Sequence, residues 1–398
     1  MNECQVPFAS ADILIPKNNH DKWAVIACDQ FTSDHEYWNK TSGIVGDNPT
    51  ALNIILPEIY LEDGDSEQRI KNINNKMNEY LSDEIFEIYP DSMIFVERKL
   101  PDGKTRYGIV GAVDLEAYDY NKGATSLIRA TEGTVLDRIP PRVKIRKDAP
   151  IESPHIMVLI DDPLKTVIEP LKNADQKVVY DFDLMLGGGH IRGKLIGKEN
   201  QDQIIKALDN LCGDETNPLL FAMGDGNHSL ATAKECYTAN PNPLNRYALV
   251  EIVNVHDNSL EFEPIYRVLF NVDTADIVGT AEILSKMQGD GHKYRFITSD
   301  GEGEITLPAT SALPVGTLQN FIDEYIKANP QVKVDYIHGV DSVEKLAKEE
   351  NTIGFVFNGM EKAELFPTVK QDGALPRKTF SMGEAVSKRY YMECRRIK

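Results

Sequence analysis

Three times along its 398 residues this chain sets two β-prone stretches on either side of a tight turn, and that repetition constrains the fold most. Met93 to Leu100 and Arg106 to Leu115 flank Pro101-Asp102-Gly103-Lys104. Val178 to Leu186 and His190 to Ile196 flank Gly187-Gly188-Gly189. Lys293 to Thr298 and Glu304 to Leu307 flank a Ser299–Gly303 turn rich in glycine and acid. Each reads as a β-hairpin, because the turn residues tolerate the positive φ that tight hairpin turns need. Hairpins pair strands antiparallel. Helical periodicity over 201–211, 274–287, 316–328 and 342–350 separates them from strand-like runs at Trp23–Ala27, His155–Ile160, Tyr247–Val255 and Ile353–Asn358. Ser33-Asp34-His35-Glu36 has capping-box spacing and opens a further short helix. The expectation is an α+β fold with mixed and antiparallel sheets rather than a doubly wound parallel sheet. The length suits two domains, and the stretch 256–275 is the expected connection. This gives a larger α+β domain over 1–270 and a smaller one over 271–398.

Hydrophobic residues make up 41% of the chain, enough for a sizeable core. The formal charge of −19 argues against nucleic acid and anionic membrane surfaces, both of which call for a basic footprint. It leaves room for a small anionic ligand, since a cleft can oppose the net charge locally. A homo-oligomer is compatible with this composition. The cysteines (Cys4, Cys28, Cys212, Cys236 and Cys394) are scattered and odd in number, which argues against a disulfide framework or zinc cluster and for a reducing, cytoplasmic setting. The first residues lack a basic segment followed by a long apolar stretch, and no apolar run approaches the ~20 residues of a membrane span.

The most chemically loaded segment is Phe221-Ala222-Met223-Gly224-Asp225-Gly226-Asn227-His228-Ser229. An apolar strand runs through a glycine turn into a helix, the arrangement that turns backbone N–H groups and the positive helix end toward an anion. Asp225 is a candidate to hold a divalent metal or accept a substrate proton. His228 is a candidate donor to phosphate or a general acid. The same string also serves as plain turn and cap chemistry. Ile26-Ala27-Cys28-Asp29-Gln30 repeats the pattern and puts Asp29 just past an apolar run, while Cys28 reads as packing. Ser126-Leu127-Ile128-Arg129-Ala130-Thr131-Glu132-Gly133-Thr134 offers Arg129 as an anion clamp with Glu132 close by. Gly189-His190-Ile191-Arg192, Arg267 and Lys378 are weaker polar candidates, explained better on local grounds as a solvated strand end and isolated cations. No P-loop, dinucleotide fingerprint, H-E-x-x-H or G-x-S-x-G string is present.

These segments, in this order, resemble the family known as domain of unknown function 1015 over nearly the whole chain. The resemblance is carried by Ala27-Cys28-Asp29-Gln30, Ile128–Thr134, Gly189–Arg192, Asp225–Ser229, Pro264-Ile265-Tyr266-Arg267, Tyr336-Ile337-His338 and Pro376-Arg377-Lys378-Thr379-Phe380. Where the family commonly has Asp-Gly-His-His-Arg, this chain has Asn227 for the first histidine and Ser229 for the arginine. The family's string is in turn similar to one in the ParB/sulfiredoxin-like fold, whose members include nucleotide-dependent free-serine kinases. There the string holds nucleotide phosphates at a helix start. The resemblance therefore implies a ParB/sulfiredoxin-like core and a site for ATP or ADP with Mg²⁺. In that site Gly224, Gly226, Asn227 and Ser229 cradle phosphate, and Arg129, Glu132, His190, Arg192, Arg267 and Lys378 complete it. Asp225 takes the metal, His228 stabilises transferred charge and Asp29 acts as base. The leading expectation is a phosphotransferase acting on a small polar metabolite. A non-catalytic nucleotide or metabolite sensor is the alternative, and a hydrolase with metal on Asp225, His228 and His190 is the third reading.

Overall fold

A computed structural model describes residues 5–61, 64–133, 139–212, 216–287 and 291–398. Cys4 and Thr134, both noted in the sequence, lie outside them. The chain forms two compact units. The first comprises Met1–Ala130, Thr134–Leu260 and Glu384–Lys398, and the second comprises Thr131–Gly133 and Glu261–Gly383. The division thus falls at 260 rather than 270, because the expected connection contains the strand Phe262–Phe270, an inner strand of the second unit's sheet.

In the first unit a mixed sheet runs in the order Lys177–Leu184, Gly189–Leu195, Ile94–Lys99, Thr105–Asp114, Tyr247–Asn254, Met157–Ile160, Phe221–Asp225, Ile128–Arg129 and Tyr118–Asp119. Phe8–Ala9 is added beside Thr105–Asp114. Both expected hairpins of this unit are present as antiparallel neighbours. Side chains alternate across a strand, and both faces here are covered. Ile94 and Val96 enter one apolar cluster while Phe95 enters the other. Leu249 joins the first, and Ala248, Val250 and Ile252 join the second. Double coverage is why these strands read as nearly unbroken apolar runs. A four-stranded antiparallel sheet, Phe86–Ser92, Ala11–Pro16, Cys394–Arg396 and Ile151–Glu152, contributes to the first cluster.

Trp23 to Ala27 is completely buried but is not a regular strand. Trp23 ends the short helix His20–Trp23, and Ile26 makes a single bridge to Tyr390. Its apolar run reflects burial alone, which periodicity cannot distinguish from strand. The following helix, His35–Val45, is capped by Asp34, whose carboxylate accepts from Tyr37 N–H at 2.9 Å, rather than by Ser33.

The second unit carries a six-stranded antiparallel sheet around Phe262–Phe270, including the third hairpin, Gly291–Thr298 with Gly301–Pro308. Helices Thr274–Met287 and Pro314–Ala328 belong to the same unit. Among the described residues no helix is long and apolar enough to cross a membrane. Among the described residues Cys28, Cys236 and Cys394 are free thiols.

Candidate functional site

The strand Phe221–Asp225 lies antiparallel to Met157–Ile160, with Asp225 opposite Met157. The end of one strand therefore meets the start of the other, and His155, two residues before Met157, comes beside Gly224–Ser229. Gly226 links the strand to the helix Asn227–Ala239 at φ 78° and ψ 27°. A side chain there would be strained by the left-handed backbone and would also sit 3.1 Å from Ile156. The first intrahelical bond runs from Leu230 N–H to Gly226 C=O, so the N–H groups before it point out of the helix end. Asn227 Oδ1, at that end, is buried with no hydrogen-bond partner among the described residues.

Asp29 arrives from the other direction. Residues 25–27 run along the C-terminal segment through Ala27 N–H to Arg389 C=O (3.0 Å) and Tyr391 N–H to Val25 C=O (2.9 Å). That pairing brings Asp29, Lys388 and Tyr391 to one place. Asp29 Oδ2 lies 3.7 Å from His155 Nε2, and its Oδ1 accepts from Gln30 at 3.0 Å. On its other side, His155 Nδ1 is 2.8 Å from the Tyr391 hydroxyl, which also accepts from Cys28 N–H at 3.2 Å. Asp225 Oδ1 accepts from Gly226 N–H at 2.9 Å, and its Oδ2 is 3.4 Å from Lys388 Nζ.

Asp29, His155, Asp225, Gly226, Asn227, His228 and Ser229 line one cavity of about 100 Å³, together with the Glu58–Arg142 ion pair; Lys388 and Tyr391 contact Asp225 and His155 of that lining. The cations Arg142, Lys388 and His155 offset the carboxylates Asp29, Asp225 and Glu58, so an anion entering here does not meet the −19 of the whole chain. Burial raises the Asp29 pKa, but the His155 charge and hydrogen bond, Gln30 and Lys388 outweigh it and hold the carboxyl well below the usual carboxylate range. Burial lowers the His155 pKa, but the charge and hydrogen bond of Asp29 and the charge of Asp225 prevail and raise it above 6.5. The pair is therefore carboxylate and imidazolium near pH 6. Cys28 is no nucleophile: burial first, and then Asp29, push its thiol up to about 12.

The structure gathers Asp29, Asp225, Gly226, Asn227, His228 and Ser229 of the expected residues, with Gly224 on the strand leading in. The others have separate engagements. Arg129 is 1% exposed and donates to Ser126 C=O, Asn217 and Pro218 C=O. His190 and Arg192 join an exposed cluster, His190 with Asp181 and Asp183, Arg192 with Asp181. Glu132, Arg267 and Lys378 belong to the second unit. There Arg267 is completely buried and donates to the C=O groups of Ile265, Arg377 and Lys378 and to Gln319. Burial raises the Glu132 pKa despite hydrogen bonds from the Lys378 and Thr379 backbone. Sequence reasoning missed His155, Lys388, Tyr391 and the Glu58–Arg142 pair.

The residues do not form a dedicated metal site. Among the described residues no three His, Cys, Asp or Glu side chains are grouped so that they could hold a metal ion. The Asp225 oxygens are engaged by Gly226 N–H and by the Lys388 ammonium.

Comparison with known proteins gives a family but no activity. No curated protein matches the chain. Solved structures that resemble it include a free serine kinase in complex with AMP (8% identity, 71% of this chain and 90% of that one, TM-score 0.38). A variant of free serine kinase in complex with ADP is also similar (11% identity, 73% and 92%, TM-score 0.39), as is a C-terminally truncated SbnI from Staphylococcus aureus (8% identity, 69% and 82%, TM-score 0.37). The model of a protein family of unknown function, DUF1015, matches residues 9–379, and the chain belongs to that family.

Proposed function

We propose that the cavity at the start of helix Asn227–Ala239 transfers a phosphoryl group from a nucleotide to the hydroxyl of a small metabolite. The observation that carries this reading is the convergence of a glycine-linked helix start, the Arg142 cation and an Asp29–His155 pair on one cavity, with Lys388 3.4 Å from the Asp225 of its wall. The transferred phosphoryl group rests against the N–H groups of the first helical turn, with Lys388 and Arg142 supplying the charge that an arginine at 229 would have given. His228 stabilises charge on that group. Asp29 orients the acceptor hydroxyl. As its oxygen bonds to phosphorus and the bond to the nucleoside diphosphate breaks, the hydroxyl proton passes to Asp29. A carboxylate with a depressed pKa is a weak base, so this transfer comes late, which suits the loose transition states of phosphoryl transfer. His155 is a positioning residue that keeps Asp29 ionised and fixed. A divalent ion arriving with the nucleotide is part of the substrate, and no step is assigned to a resident metal.

Calorimetric titration with ATP, ADP, pyrophosphate and phosphate, with and without Mg²⁺, tests the reading. Lys388→Met is expected to weaken binding about tenfold or more, the loss of one charged hydrogen bond. Asp29→Asn should keep nucleotide binding and slow transfer by about 10²–10⁴. Absence of any nucleotide binding by the unaltered protein overturns the proposal. Binding without turnover on any hydroxyl-bearing acceptor selects the sensor reading, which the serine at 229 favours. The metal-hydrolase alternative lacks its donor set, since His190 does not line the cavity with Asp225 and His228.

A further inference from the structure

A second cavity, of about 140 Å³, adjoins the first, and the two share Cys28, Glu58, Arg142, His155 and Ser229 in their walls. The first is walled by charged and polar groups. The second is walled chiefly by aliphatic side chains, among them Ile54, Leu56, Leu61, Met77, Ile145 and Ile151. Outside the shared wall its polar residues are already committed. Glu152 accepts from Arg146, Arg395 and the Leu249 N–H, and the Thr232 hydroxyl donates to His228 C=O. What remains is apolar contact with little to recognise a hydrogen-bonding group. An apolar cavity of about 150 Å³ is large enough for a benzene ring. A ligand reaching from one cavity into the other would pass the Arg142 guanidinium, which is 15% exposed and sits in the shared wall.

We infer that the phosphate monoester formed at this site carries, close to its phosphate, an apolar group about the size of a phenyl ring or a branched four-carbon chain, and that this group fills the second cavity. The inference rests on the phosphoryl-transfer reading and narrows its acceptor from a wholly polar metabolite to an amphipathic one. The phosphate lies at the helix start, and the apolar group lies against Ile145 and Ile151. An acceptor with no apolar part would leave the second cavity's lining without partner atoms and forgo that contact.

The test is calorimetric titration of the unaltered full chain with inorganic phosphate, methyl phosphate and phenyl phosphate. Phenyl phosphate is expected to bind at least tenfold more tightly than methyl phosphate. Equal affinities overturn the inference and leave the anion site standing. Binding of none of the three overturns both the inference and the phosphoryl-transfer reading. Binding of the esters, with the phenyl ester preferred but no nucleotide bound, overturns the phosphoryl-transfer reading and with it the formation of the ester at this site. Ala149→Leu adds bulk to the second cavity. It should abolish the preference for the phenyl ester while leaving the Kd for methyl phosphate unchanged. If that variant does not fold, Ile145→Phe on the same wall makes the same measurement. Persistence of the phenyl preference in a folded cavity-filling variant counts against the inference.

Discussion

At the scale of single residues, the geometry of the candidate site depends on the glycine between strand and helix. Gly226 carries the turn from strand to helix at a φ of 78°. Gly226→Ala is expected to lower stability by about 1–2 kcal/mol for the left-handed backbone, with a further penalty from the contact at Ile156. Urea unfolding measures this directly, and an unchanged midpoint would mean that the turn relaxes freely. Asp29, Asp225 and His228 were legible because each stands where an apolar run gives way to a helix start, the place where strand ends open. His155 was not legible. Pro154-His155-Ile156 looks like the start of a strand, and only the antiparallel register of Met157–Ile160 against Phe221–Asp225 brings that start to the other strand's end. Arg129 misled for the opposite reason. A guanidinium in a polar string suggests a ligand clamp, yet this one ties its own loop to Asn217 and Pro218.

At the scale of elements, the segment around residues 384–393 holds the site in place. Arg389 is buried and donates to Glu251 at 2.7 Å, to Glu393 at 2.7 Å and to Pro154 C=O at 2.8 Å. Burial lowers its pKa, but the charges of Glu393 and Glu251 more than reverse this and hold it charged. Gly108 makes room for this network, because a side chain at 108 would overlap the Glu251 carboxylate. Arg98 and Arg106 donate to the C=O groups of Val386 and Ser387, so buried arginines grip the segment on both sides of Lys388. Arg389→Met should cost about 3–5 kcal/mol, since it strands two buried carboxylates rather than removing a whole network. Replacing Arg389, Glu251 and Glu393 together by apolar residues should cost less than the single change, and denaturant midpoints of the two variants decide. None of this was visible in the sequence. The segment has no periodicity, and its pairing with residues 25–27 spans more than 360 positions. The hairpins, by contrast, were legible because everything that specifies them lies within about twenty residues.

At the scale of the whole molecule, the site's ion pair ties stability to pH. The His155 pKa is raised above 6.5, so its contribution is complete below that value and is lost as pH rises through the folded-state pKa. The Asp29 pKa is depressed below 3.8, so its contribution is complete above 3.8 and is lost as pH falls through the folded-state value. The pair therefore stabilises most between pH 3.8 and 6.5. The stability difference between the unaltered protein and His155→Gln should be larger at pH 5 than at pH 9, as read by urea unfolding at each pH. A difference independent of pH would show that the pair is not ionised. The way the chain divides also bears on its synthesis. Residues 261–383 form most of the second unit and are made before Glu384–Lys398, which belong to the first. At the usual ~5–20 residues per second, ribosomes spend on the order of ten seconds on that stretch. Throughout that interval the first unit lacks the strand Cys394–Arg396, Trp23 lacks Met392 C=O as its hydrogen-bond acceptor, and Asp225 lacks Lys388. A nascent chain paused there exposes an unpaired sheet edge, the kind of surface that chaperones shield, and the Asp225–Lys388 contact waits for residues 384–398 to be made.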